Sequence, residues 1–142
     1  MFTLSKSIDI AASPHRVWEV LTDTAAYPEW NSFMTELSGE LRVGSRLAVT
    51  IEPPGGRTQR FTPTVTDLEP ERHLAWLGRL LVPGLFDGAH SFELEPLGDD
   101  STRFTQSERF TGLLVLPLRG MLRSTGDGFA AMNSALASRA ES

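Results

Sequence analysis

A chain of 142 residues has room for one domain with a substantial core and not for two. Apolar residues make up 40% and charged residues 22%, ordinary globular proportions that exclude a disordered or fibrous chain. The net charge of −5, with Lys6 the only lysine and the arginines scattered, argues against nucleic-acid binding, and the lack of cysteine removes disulfides, thiol catalysis and cysteine-held zinc.

Residues 2–11 alternate Phe2, Leu4, Ile8 and Ile10 with polar neighbours and predict an opening strand, although Lys6 interrupts its apolar face. Ser13 before Pro14 is a helix-start signal, because the Ser side chain caps orphan amides and Pro at the first helical position loses nothing. Val17, Trp18 and Leu21 give that helix its apolar stripe. Asp23 or Thr24 can cap a second short helix, which Pro28 is expected to limit. Short strands are predicted at 34–39 and 46–52, the latter placing Leu47, Val49 and Ile51 on one face, with Gly44 marking the turn between them. Pro53, Pro54, Gly55 and Gly56 form a compact turn, and strands follow at 58–68 and 74–81.

The most informative stretch is the next pair of alternating segments, 85–96 and 102–110. One face carries Phe86, Gly88, His90, Phe92 and Leu94, then Thr102, Phe104, Gln106, Glu108 and Phe110; the other is charged and hydroxylated. The intervening Leu97, Gly98, Asp99, Asp100 and Ser101 is turn chemistry. A five-residue loop sets Pro96 opposite Thr102, Glu95 opposite Arg103 as a cross-strand ion pair, Phe92 opposite Gln106, and His90 opposite Glu108. An ionised carboxylate on a buried face must be paired, protonated, or beside water or a ligand.

Leu118, Met121, Leu122, Thr125, Phe129, Met132, Leu136 and Ala140 then recur at helical spacing and predict a long amphipathic C-terminal helix. Gly120, Gly126 and Gly128 weaken it by about 1 kcal/mol each and mark a kink or close packing. Antiparallel sheets need their apolar face covered, and this helix is the only element long enough. A curved sheet wrapped around one helix leaves a gap beneath it, where small apolar ligands bind.

This order resembles the START-like (SRPBCC, helix-grip) superfamily, and within it the bacterial polyketide cyclase/dehydrase-like proteins. The resemblance covers essentially the whole chain. It rests on Ile8-Asp-Ile-Ala-Ala-Ser-Pro-His-Arg-Val-Trp-Glu-Val-Leu21, Tyr27-Pro-Glu-Trp-Asn31, the Gly39-x4-Gly44 turn, His90-x-Phe92-x-Leu94, Thr102-x-Phe104 and Glu108-x-Phe110-x-Gly112. It implies an α+β helix-grip fold over residues 1–142, about seven antiparallel strands gripping the long helix, two short helices after the first strand, and a cavity between sheet and helix. The fold carries lipid transfer, plant hormone binding, aromatase/cyclase chemistry and chaperone assistance, so it does not fix the function.

The expected function is binding of a small hydrophobic or aromatic molecule, lipid- or polyketide-like, by Trp30, Trp76, His90, Phe92, Gln106, Glu108, Phe110, Met121 and Phe129. Trp30 is the expected rim residue and Trp18 belongs to the core. An acid/base cyclase or dehydratase using His90 and Glu108 is the alternative, although no catalytic motif of a characterised cyclase is recognisable. A protein-interaction module, working as a homodimer, is the third reading. His15, His73 and His90 lack metal-ligand spacing, so no metal is expected. No cofactor is expected either, there being no phosphate-binding Gly-x4-Gly-Lys-Ser/Thr loop, and no Gly-x-Ser-x-Gly elbow presents a nucleophilic serine. The apolar run 113–118 is interrupted by Pro117, far short of the ~18 residues of a membrane span, and reads as a buried connection rather than a lid. Residues 1–10 lack an export signal pattern, and a cytoplasmic location is expected.

Overall fold

The computed structural model describes residues 1–79 and 84–142. The chain runs through β1 (Phe2–Ile10), α1 (Pro14–Thr22), a single 3-10 turn (Thr24–Ala26) and α2 (Tyr27–Trp30). The strands β2 (Met34–Ser38), β3 (Ala48–Ile51), β4 (Gln59–Phe61), β5 (Thr64–Glu69), β6 (His73–Arg79), β7 (Asp87–Gly98) and β8 (Ser101–Thr111) follow, then α3 (Arg119–Glu141). Five antiparallel strands in the order β1-β8-β7-β6-β5 form the main sheet, and β2-β3-β4 a smaller one. The two are joined where residues 44–47 bond to residues 63–65, through Gly44 N–H to the Val65 carbonyl and Leu47 N–H to the Pro63 carbonyl.

The strand expected at 58–68 is broken at Pro63, which has no N–H to give a ladder, and becomes β4 and β5. Counted as one bent strand, the pair makes seven. The strand expected at 74–81 begins one residue earlier and runs to Arg79; Leu80 and Leu81 lie outside the described residues, as does Pro83.

At α1 the Ser13 Oγ accepts the Arg16 N–H at 3.1 Å and Pro14 occupies the first turn, as the sequence requires. Pro28, expected to limit the second helix, instead sits in the first turn of α2, where its missing N–H costs nothing, and Asp23 makes no side-chain cap. His15, exposed at the start of α1, meets Glu71 through Nδ1 and Oε2 at 2.9 Å. Hydrogen bonding to Glu71, and then its charge, raise the His15 pKa above the ordinary 6.5. This pair therefore stabilises below about pH 6.5 and fades as pH climbs through the folded value. In Glu71→Gln, an NMR titration should find His15 back near its ordinary value; an unmoved midpoint would clear Glu71 of that role.

α3 packs against the main sheet chiefly along β1, and its Phe129 reaches His90 on β7. Phe129, Met132 and Leu136 are fully buried and Leu122 nearly so. Each such side chain contributes roughly 1.5–3 kcal/mol, which outweighs the ~1 kcal/mol cost of each of the three helical glycines. Two of those glycines mark close packing. Gly126 faces Leu4 and the Lys6 stem, and a Cβ on Gly128 would run into the Phe33 ring. The Lys6 interruption in β1 is thereby resolved: its aliphatic stem lies beside Gly126 while its residue stays exposed.

The hairpin adopts the expected register, with Glu95 opposite Arg103, Phe92 opposite Gln106 and His90 opposite Glu108. The ladder continues farther than a five-residue loop allows, closing at Gly98 and Ser101 around Asp99 and Asp100, with a bulge after Pro96 absorbing the difference. Arg103 does not bridge to Glu95. It pairs with Asp9 on its other flank, Nε to Oδ1 at 2.9 Å, because β1 also lies beside β8 and sets Asp9 directly opposite. The guanidinium holds the Asp9 carboxyl below its usual range.

Candidate functional site

A single row crosses the main sheet: Leu4 on β1, Glu108 on β8, His90 on β7, Trp76 on β6 and Val65 on β5. Period-two alternation turns the middle of this row toward α3, so His90 and Trp76 are both 2% exposed. The imidazole is enclosed by aromatic rings. Trp76 stacks on it at 5.3 Å and 19°, Phe92 lies 4.7 Å away, and Phe129 from α3 meets it edge-on at 5.0 Å.

Both ring nitrogens of His90 are used. Nδ1 lies 3.1 Å from Glu108 Oε1 and Nε2 lies 2.9 Å from Gln106 Oε1. Gln106 Nε2 donates to Asn133 Oδ1 at 3.0 Å, and Asn133 Nδ2 donates to the Lys6 carbonyl at 3.0 Å. The chain Glu108–His90–Gln106–Asn133 thus ties β8 and β7 to α3 and to the β1 backbone. Asn133 was not singled out in the sequence, where it reads as one polar position amid the apolar stripe of α3; its place between Met132 and Leu136 was the available signal. Trp76 Nε1 is buried and has no acceptor among the described residues.

Glu108 is the least enclosed member, its side chain 16% exposed. It borders a cavity of about 200 Å³ beneath the first two turns of α3. The walls include Phe61, Phe86, Phe110, Met121 and Leu122, with Thr125, Gln59 and the cationic Arg60 and Arg79 among the polar lining. Gly88 also lines it, and a Cβ there would collide with Glu108 Oε2, so this glycine keeps the carboxylate's space open. At the mouth, the 84–86 loop is laced to the start of the β8–α3 connection: Leu113 and Leu114 N–H bond to the Gly84 and Leu85 carbonyls. Gly112 permits this contact, since its φ is 117° and a Cβ added there would meet the Leu85 carbonyl oxygen at 2.5 Å. Within the connection Val115 is buried, whereas Leu113 and Leu116 are exposed at 81% and 69%. The apolar run is therefore only partly the buried connection its sequence suggested.

Of the residues singled out from the sequence, Glu108, Phe110 and Met121 border the cavity. His90, Gln106, Trp76, Phe92 and Phe129 are packed behind Glu108 and do not line it. Trp30 stands apart, half-buried edge-on to Tyr27 at 5.2 Å. Its motif braces the fold. Tyr27 donates its hydroxyl to the Leu21 carbonyl at 2.5 Å, with burial, and then the Asp23 charge, pushing the phenol well above its ordinary range; Asn31 Oδ1 accepts the Phe33 and Met34 N–H groups. Phe61, Phe86 and Leu122 were not foreseen as cavity walls. A second hollow of about 560 Å³ lies between α2 and the smaller sheet, but Glu36, Ser38, Ala48, Arg60 and Thr62 line it as exposed side chains, which makes it a surface trough.

No helix among the described residues is long and apolar enough to cross a membrane. Among curated proteins none matches this sequence. Solved structures do. The Zhui aromatase/cyclase from a Streptomyces species superposes with a TM-score of 0.81 at 19% identity, covering 99% of this chain and 93% of that one. A START superfamily protein from Mycobacterium smegmatis superposes at 0.78 and 22% identity, covering 98% and 97%. A hypothetical protein from Helicobacter pylori gives 0.81 at 16% identity, covering 98% and 88%. Such likeness establishes the helix-grip fold. Residues 1–141 match the family described as polyketide cyclase / dehydrase and lipid transport, and with the long helix gripped by its antiparallel sheet the chain belongs to that family.

Proposed function

We propose that residues 1–142 form one START-like domain, a cytoplasmic protein that binds a small apolar or aromatic molecule between the main sheet and the first turns of α3. One observation carries this reading: an apolar-walled cavity with a single, mostly buried carboxylate on its floor. A carboxylate is costly to bury without partners, and here one oxygen is satisfied by His90 while the other stands over Gly88 with no hydrogen-bond partner among the described residues. The cavity volume of about 200 Å³ decides the size class. Drug-sized ligands occupy roughly 300–1,000 Å³, so one or two rings or a short chain suits this space better than a full lipid. Its lack of cysteine suits a reducing compartment.

Native mass spectrometry combined with a thermal-shift panel of bicyclic aromatics, short polyketides and fatty acids tests the reading. A subset of small aromatics should raise the melting temperature, and Met121→Trp, which adds bulk from a half-exposed wall residue, should abolish that rise while leaving the unliganded protein folded. No shift across the panel would end the binding proposal. An enzymatic reading, cyclase or dehydratase, is favoured by the His90–Glu108 contact beside the cavity. Recovering the bound compound separates the two: a binder returns it unchanged, an enzyme releases a cyclised or dehydrated product.

A further inference from the structure

The direction of every hydrogen bond in the buried chain follows from its far end. The Lys6 carbonyl can only accept, so Asn133 turns its amide nitrogen toward it. Asn133 Oδ1 then faces Gln106, which must donate through Nε2. Gln106 Oε1 in turn faces His90, so His90 Nε2 carries a hydrogen. One proton must then lie between His90 Nδ1 and Glu108 Oε1, because two bare acceptors at 3.1 Å would repel. It sits on the nitrogen, giving imidazolium and carboxylate, or on the oxygen, giving imidazole and carboxylic acid. In both states Glu108 Oε1 is engaged and Oε2 is left as an acceptor. Oε2 has no hydrogen-bond partner among the described residues, stands over Gly88, and belongs to a side chain that borders the cavity.

We infer that Glu108 Oε2 is a donor-selective subsite, which takes a ligand O–H or N–H and rejects the same ligand with that donor capped, and that Gln106 and Asn133 are positioning residues that fix which His90 nitrogen meets Glu108. This inference rests on the cavity reading above and names the ligand chemistry within it: a phenol, enol, alcohol or amine donor on an otherwise apolar body. Gln106 and Asn133 touch no ligand. They act by denying His90 the neutral tautomer with hydrogen on Nδ1 alone, because that form would leave Nε2 bare against Gln106 Oε1.

Two measurements test it. Calorimetric titration with 2-naphthol and with 2-methoxynaphthalene should show the naphthol binding about tenfold tighter to the unmodified protein, the upper end for a hydrogen bond to a neutral acceptor and the lower end for one to a charged acceptor. The preference should persist in Glu108→Gln, whose amide donates to His90 Nδ1 and leaves an acceptor oxygen for the ligand, and should vanish in Glu108→Leu. Long-range 1H–15N spectra of the ligand-free protein should find hydrogen on His90 Nε2, and Gln106→Met should release the ring to the Nδ1–H tautomer. Equal affinity for the two naphthalenes overturns the subsite and leaves the cavity reading standing. Binding of neither overturns both. A bare Nε2 in the unmodified protein overturns the positioning roles whatever the ligands do.

Discussion

Phe129→Ala should lower the stability of the protein by about 3–5 kcal/mol and its melting temperature by roughly 10–20 °C. Phe129 is completely buried on α3 and touches two layers at once: its ring lies edge-on to Phe33 at 5.7 Å and to His90 at 5.0 Å. Removing the ring forfeits its transfer energy and opens a hole between helix and sheet that surrounding residues can fill only in part. Denaturant melts should show a lower midpoint at an unchanged slope. Met121→Ala supplies the contrast. Met121 lies two turns earlier on the same helix but is 39% exposed, so its loss should cost much less. Comparable losses at the two sites would mean that α3 is not seated more firmly behind the cavity than above it.

Asn133→Leu should cost about 2–4 kcal/mol, although leucine suits the apolar stripe in which Asn133 sits. The loss comes from what is left behind: the Gln106 amide keeps no acceptor among the described residues, and the Lys6 carbonyl loses its hydrogen bond from α3. Gln106→Leu should be similarly harmful, because it strands His90 Nε2 and Asn133 Oδ1. The double substitution should cost less than the sum of the singles by roughly 0.5–3 kcal/mol, since removing both partners strands fewer groups than removing each in turn. Strict additivity in denaturant melts would mean that the buried chain is not energetically connected.

Much of this was legible in the residues. Alternation over two adjacent segments placed His90, Gln106 and Glu108 on one face, and turn chemistry over 97–101 set His90 against Glu108, although the bulge after Pro96 and the tighter turn were not foreseen. The Ser13-Pro14 start of α1 and the apolar stripe of α3 were equally plain. The break at Pro63 was not foreseen, since 58–68 reads as one strand, although it follows from the missing N–H of that proline. Arg103 could not be assigned from the hairpin alone. Its partner Asp9 lies 94 residues earlier, and only the docking of β1 beside β8 brings it within reach.

The aromatic set shows where local reading stops. Trp76, Phe92, Phe110 and Phe129 all announce an apolar face, and the sequence treats them alike. In the structure Phe110 borders a cavity while the other three are packed solid around His90. A repeat of two or of 3.6 residues specifies which side of an element faces inward, and with it this chain's strands, helices and hairpin register. It carries no information on how far two facing elements stand apart. That distance is set by side chains from remote segments meeting between them: Phe33 against Gly128 closes the middle of α3 onto the sheet, and the first turns of the same helix are left standing over Gly88 and Glu108.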